Sequence, residues 1–104
     1  MQRLKRNGRP SVQLKWTDLA DIDLEKIEAH ISQENSPAVP ISVVVNIIDS
    51  TNLILPAHPR AGRQERLKDT RELVISGLPY IVVYRENIRT NYLEVLRVLR
   101  DAQQ

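Results

Sequence analysis

The sequence predicts an α+β domain of order β-α-α-β-β-β, with a helical hairpin packed on a mostly antiparallel sheet. Three observations lead there. Runs rich in β-branched and aromatic residues flank Ser76-Gly77-Leu78-Pro79, which reads as a β-hairpin over residues 70–85. Two stretches of helical periodicity precede it, divided by Glu34-Asn35-Ser36-Pro37. An alternating run over 92–99 then supplies a closing strand.

Taken in order, residues 1–10 lack periodicity and form an expected flexible, basic lead-in, leaving 11–104 as one domain. Residues 11–16 alternate Val12, Leu14 and Trp16 with polar neighbours, as a short strand does. Thr17 is placed to cap a helix whose first turns carry Asp18, Asp21 and Asp23 against the positive end of its dipole. Ala20, Leu24, Ile27 and Ile31 form its buried stripe. In 41–55 the residues favour strand by propensity, but Ser42, Asn46, Asp49 and Ser50 fall on one helical face. The apolar face expected for this second helix is Ile41, Val44, Val45, Ile48 and Leu55. The helix should begin between Pro37 and Pro40, because proline is tolerated only in a first turn, and end before Pro56. Residues 57–69 read as a loop. Pairing Ile75 with Tyr80 in the hairpin puts Arg71, Leu73, Ile75, Tyr80, Val82 and Tyr84 on one face. Thr70, Glu72, Val74, Ile81, Val83 and Arg85 take the other, and both faces are apolar enough at the centre to need cover. Residues 87–91 read as a turn.

A chain of 104 residues can bury one modest core, filled here by aliphatic side chains because there is no Phe and one Trp. The absence of Cys excludes disulfides, thiol chemistry and a Cys-based metal site. No apolar run approaches a membrane span, and the basic start is followed by no apolar core of a signal peptide. Net charge is +2 but unevenly placed. Residues 1–16 hold five basic groups and no acid; 17–56 hold one Lys against seven acids; 57–104 hold nine basic groups against six acids. Arg60, Arg63, Arg66, Lys68 and Arg71 crowd into twelve residues, with Glu65 and Asp69 between them. Such a patch attracts nucleic acid or an acidic partner segment; a solvated surface of mixed charge is the plainer reading.

His30 and His58 read as surface residues, and no carboxylate pair, catalytic triad, phosphate loop or metal cluster has a recognisable spacing. What remains is arginine and tyrosine. Arg63, Arg66, Arg71, Arg85, Arg97 and Arg100 come from the loop and the last three strands. Some of these would converge in a twisted sheet, where guanidinium forks suit phosphate oxygens and stabilise charge in metal-free RNA cleavage. Tyr80, Tyr84 and Tyr92 read first as core residues with hydroxyls at the rim.

The hairpin, the preceding His58-Pro59-Arg60-Ala61-Gly62-Arg63 and the closing Leu93-Glu94-Val95-Leu96-Arg97-Val98-Leu99 together resemble the RelE/ParE superfamily of bacterial toxins. The resemblance runs from about Val12 to Gln104. It implies the fold just derived and a cytoplasmic, growth-inhibiting toxin of a type II toxin–antitoxin pair. It also implies a cognate antitoxin in a hetero-oligomer, with no cofactor, metal or membrane. RelE-like members cut mRNA in the ribosomal A site, whereas ParE-like members poison DNA gyrase. RelE-like nucleases commonly carry Arg after the Tyr that opens the second hairpin strand, and many relatives carry His after the last strand. Here these positions are Ile81 and Arg100. With Pro79-Tyr80 and the basic loop, they place the ParE-like expectation first and the ribosome-dependent endonuclease second. Under the nuclease alternative, the candidate catalytic groups are Arg71, Arg85, Arg100 and Tyr84. Candidate contacts to target or antitoxin are Arg60, Arg63, Arg66, Lys68, Arg71, Arg85 and Arg97. Relatives tend to be apolar at Glu86 and small at Pro40, so a third expectation is an attenuated, antitoxin-binding protein without toxicity.

Overall fold

In the computed structural model, which describes residues 12–32, 38–65 and 69–101, a four-residue strand runs directly into a helix. The elements are β1 (Gln13–Trp16), α1 (Asp18–Ser32), α2 (Ala38–Ile54), β2 (Arg63–Gln64), β3 (Thr70–Val74), β4 (Tyr80–Asn87) and β5 (Tyr92–Arg100). The strands form one sheet of order β1-β5-β4-β3-β2. The β1–β5 pair is parallel and the other pairs are antiparallel. This is the expected α+β architecture, with one addition. Residues 57–69 are not wholly loop, because Arg63 and Gln64 pair with Glu72 and Arg71. A two-residue edge strand is too short to leave a periodic signal. The lead-in over 1–10 lies outside the described residues.

The hairpin register follows the expectation. Ile75 N–H donates to Tyr80 O at 3.2 Å, and Leu73 faces Val82. Gly77 takes the positive φ of 79° that the turn needs. Leu73, Ile75, Tyr80, Val82 and Tyr84 are buried with Leu93, Val95 and Val98 of β5 under the helices. The helices cover that face alone. On the other face Val74 is 49% exposed and Leu99 37%, although Ile81 is buried at 7%.

Helix α1 buries Ala20, Leu24 and Ile27 as its spacing requires. Thr17 caps it, its Oγ1 accepting from Ala20 N–H at 3.2 Å. Helix α2 starts as Pro40 demands, with the proline buried in the first turn. Its buried face meets the expectation in part: Leu55 is fully buried, and Val44 and Ile48 are half-buried against the core. Ile47 and Thr51 are fully buried as well, whereas Ile41 is 56% and Val45 47% exposed. The helix is apolar nearly all round, so its few polar residues had to indicate the wet side. Thr51 defeats that indicator by donating its hydroxyl to Ile47 O at 2.7 Å, which satisfies it inside the core. At the rim, Trp16 is half-buried and its Nε1 donates to Asn52 Oδ1 at 3.1 Å, tying β1 to α2.

Where β1 stops, the edge of β5 would be left open. A bulge between Val83 and Tyr84 pairings leaves Leu96 without a cross-strand partner. The start of α1 covers this edge. Thr17 N–H and Oγ1 both donate to Val95 O, at 3.2 and 2.7 Å. The Asp23 carboxylate, buried at 6%, accepts Val98 N–H at 2.9 Å and two N–H groups of Arg97 at 2.8 and 3.0 Å. Burial pushes the Asp23 pKa up, but the Arg97 and Val98 hydrogen bonds and the charges of Arg97 and Lys26 outweigh it. The net shift is below the ordinary carboxylate value.

Two outcomes follow for stability. Ile47→Ala should cost about 2–5 kcal/mol in urea unfolding, whereas Ile41→Ala and Val45→Ala should stay within about 0.5 kcal/mol. Asp23→Ala strands the Val98 N–H and should cost about 1–3 kcal/mol at neutral pH. Because folding lowers the Asp23 pKa, its stabilisation is complete above the unfolded-state value and is lost as pH falls through the folded one. The gap between wild type and Asp23→Ala in urea midpoint should therefore narrow in that acid range and be constant above it.

Candidate functional site

The chain between α2 and β3 is held by one buried tyrosine. Tyr84 lies on the core face of β4, and its hydroxyl donates to Pro59 O at 2.8 Å and accepts Gly62 N–H at 2.9 Å. Gly62 fits because it has no side chain. A Cβ there would lie 2.7 Å from the Tyr84 ring and 2.8 Å from Glu72 O. Arg71 donates to Gly62 O at 2.8 Å from the other side. Burial pushes the Tyr84 pKa up, against the smaller opposing effects of the Gly62 hydrogen bond and the Arg71 charge, so the hydroxyl keeps its proton at neutral pH. The turn at the far end of β4 is fixed as well. Asn87 Oδ1 accepts Arg89 N–H at 3.1 Å, Asn91 N–H reaches Asn87 O at 2.8 Å, and Asn91 adopts a φ of 64°.

Between this loop and turn lies a surface cleft of about 680 Å³. Arg60 enters it from the loop, Arg71 from β3, Arg85 from β4 and Arg89 from the β4–β5 turn. Asp69 and Glu86 also line it, so positive charge is in excess by two. Arg85 is held through its Nε by Glu94 at 2.9 Å, and that bond is the main cause of a Glu94 pKa below the ordinary value. Arg60 and Arg89 are exposed and form no ion pair among the described residues.

The arginines and tyrosines singled out from sequence thus divide into groups. Arg60, Arg71, Arg85 and Tyr84 meet at the cleft. Arg63 sits on the β2 edge, 3.0 Å from Glu72 and 3.7 Å from Glu65. Arg97 is engaged on Asp23 of α1, and Arg100 lies opposite Tyr80 at the other end of β4. Arg66 and Lys68 lie outside the described residues. His30 and His58 are exposed, and among the described residues no three His, Asp or Glu side chains gather as a metal site would need. Sequence reasoning passed over Arg89 because it belongs to a turn; antiparallel pairing of β4 with β3 is what carries that turn beside Thr70 and Arg71. Asp23 reads from sequence only as a partner of the helix dipole, and nothing in the local pattern announces its long-range partners.

The uncovered sheet face has a different character. Ile81 stands between Val74 on β3 and Leu99 on β5, so its cross-strand neighbours are apolar. No helix in the described residues is long and apolar enough to cross a membrane.

Known proteins resemble this chain in sequence and fold. The "Putative toxin Y4kP" of Sinorhizobium fredii is 35% identical over 91 residues, covering 88% of this chain and 90% of its own. The chromosomal ParDE toxin–antitoxin system from P. aeruginosa contains a chain that matches with a TM-score of 0.78 and 26% identity, over 86% of this chain and 96% of its own. A chain of the RelBE2 toxin–antitoxin complex from Mycobacterium tuberculosis shares the fold, with a TM-score of 0.56 and 22% identity over 88% and 99% of the two chains. The family model described as "ParE toxin of type II toxin-antitoxin system, parDE" matches residues 14–104. From β1 through β5, this chain belongs to the ParE toxin family of type II toxin–antitoxin systems.

Proposed function

We propose that the protein is a growth-inhibiting toxin that acts on DNA gyrase and is restrained in the bacterial cytoplasm by a cognate antitoxin. The observation that carries the choice of target is the apolar centre of the open sheet face. A metal-free nuclease of the related fold needs a cation there to hold the scissile phosphate. Here Ile81 occupies the position, flanked by Val74 and Leu99. Its sec-butyl side chain offers neither charge nor a hydrogen bond to a phosphate. Tyr84, which could donate a proton in principle, already has both sides of its hydroxyl engaged in holding the loop.

Two surfaces suit the antitoxin. Leu19 and Ile22 on α1, with Ile41 and Val45 on α2, are exposed apolar side chains on the helices that cover the core. An amphipathic segment can bury such residues, and buried anchors supply most of an interface's affinity. The basic stretch from Arg60 to Arg71 would then speed encounter with an acidic, partly disordered partner.

Purified protein should inhibit gyrase supercoiling and leave ribosome-bound mRNA intact. Codon-specific cleavage in a reconstituted translation mix, with supercoiling unaffected, would assign the ribosome instead. Inactivity in both assays alongside tight antitoxin binding would identify an attenuated member. The complex with its antitoxin should form more slowly in high salt yet persist in about 1 M salt, where screening reaches ~3 Å. Ile41→Glu with Val45→Glu, both at exposed positions, should raise the dissociation rate about tenfold or more, equivalent to roughly 1.4 kcal/mol.

A further inference from the structure

We propose that the arginine-lined cleft between the α2–β2 loop and the β4–β5 turn binds the backbone phosphates of a nucleic-acid duplex. The inference goes beyond the choice of gyrase as target, since a gyrase poison need not touch DNA itself. It also stands without that choice, because it concerns direct binding by this chain.

Four guanidinium groups reach the cleft from four separate segments: Arg60, Arg71, Arg85 and Arg89. Guanidinium forks match phosphate oxygens. They are also organised before any ligand arrives. Gly62 O holds Arg71, and Glu94 holds the Nε of Arg85. The Tyr84 hydrogen bonds to Pro59 and Gly62 fix the loop on either side of Arg60. Arg60 and Arg89 form no ion pair among the described residues, so they meet an anion without first breaking a bond. The loop cannot swing away to relieve repulsion among like charges while Tyr84 holds it. An anion relieves that repulsion.

The lining selects among anions. A peptide docked through buried anchors needs apolar pockets. Among the described residues, the apolar side chains here apart from Tyr84 are Pro59 and Ile88, and Ile88 is 87% exposed at the rim. Single-stranded nucleic acid is held by aromatic faces on which bases stack. Among the described residues, the aromatic side chain lining the cleft is Tyr84, which is buried and fixed through its hydroxyl. Charge without stacking or anchoring is the chemistry of duplex backbone contact, which is independent of base sequence.

The test is fluorescence anisotropy with the full chain and a short labelled DNA duplex of arbitrary sequence, between about 50 and 200 mM salt. Binding should weaken with salt, with a log–log slope of about −2 to −3 if two or three phosphates are neutralised. Arg60→Glu with Arg89→Glu should lower affinity about tenfold or more and reduce the slope by about two. Arg60→Gln with Arg89→Gln should move both in the same direction, and provides the reading if the charge reversal disturbs folding. Arg89→Glu should lower affinity, whereas Lys26→Glu on α1, with the same change in net charge, should leave the slope unchanged. Absence of salt-dependent duplex binding overturns the proposal. So does an equal loss in Lys26→Glu and Arg89→Glu, which would make the attraction one of overall charge. Tighter binding of oligoglutamate or of a single strand than of the duplex also overturns it. A chain that binds duplex and spares gyrase would overturn the target and leave the cleft assignment standing.

Discussion

The position of the helices depends on how the edge of β5 is completed. Strand β1 supplies four partners and then ends at Trp16. Beyond it, the part-buried carbonyls of Val95 and Leu96 and the buried N–H of Val98 would lack partners, at a cost of roughly 1–3 kcal/mol for the Val98 N–H. Thr17 and Asp23 supply those partners from the first turns of α1. The chain therefore has to leave the sheet as a helix at that point and lie over β5. Once α1 is fixed, α2 packs beside it on the same face, and no described helix covers the opposite face of the sheet. A buried carboxylate is tolerable because Arg97 and a backbone N–H both donate to it.

A second constraint operates at the opposite edge of the sheet. There the core side chain Tyr84 reaches out to the loop backbone, so packing under the helices and the shape of the arginine cleft are one problem. Gly62 is required by the same contact, since any Cβ would collide with the ring. The division of labour that results is spatial. Apolar surface suited to a protein partner lies on the helical layer, and concentrated positive charge lies at one end of the sheet. The centre of the open face is aliphatic.

Much of the fold was legible because its signals are local. The turn at Gly77, the cap at Thr17 and the proline at position 40 each impose a conformation on their own neighbourhood, and each was placed correctly. The rotation of α2 was legible only in part: Val44, Ile48 and Leu55 pack toward the core, Ile41 and Val45 do not. With Ile, Val and Leu around most of its circumference, the choice of buried face falls to tertiary packing, and a threonine that satisfies itself against Ile47 O counts as apolar. Of the site, Arg60 and Arg71 could be named from the charge cluster over 60–71, and Arg85 from its place on the hairpin. Arg89 could not, because a turn residue becomes a neighbour of β3 only through strand pairing. Asp23 with Arg97 joins residues 74 positions apart, and Asp23 sits among other helix-starting acids that face water. Family resemblance identified what kind of protein this is; residue pattern showed where charge is dense; neither could say which charges were already neutralised.

The lone tryptophan has a consequence for observing this protein. Trp16 sits half-buried where β1, α1 and α2 meet, with its indole N–H on Asn52. With no Phe and three Tyr in the chain, its fluorescence will dominate the intrinsic emission. The sheet order puts β1 at one margin and β2 and β3 at the other, so the indole and the arginine cleft occupy opposite flanks. The molecule thus carries an optical label on the side where a partner would cover the helices, and none on the side where charge gathers. A quench or blue shift reports events at the helical layer, and an unchanged spectrum during a binding event locates that event on the other flank.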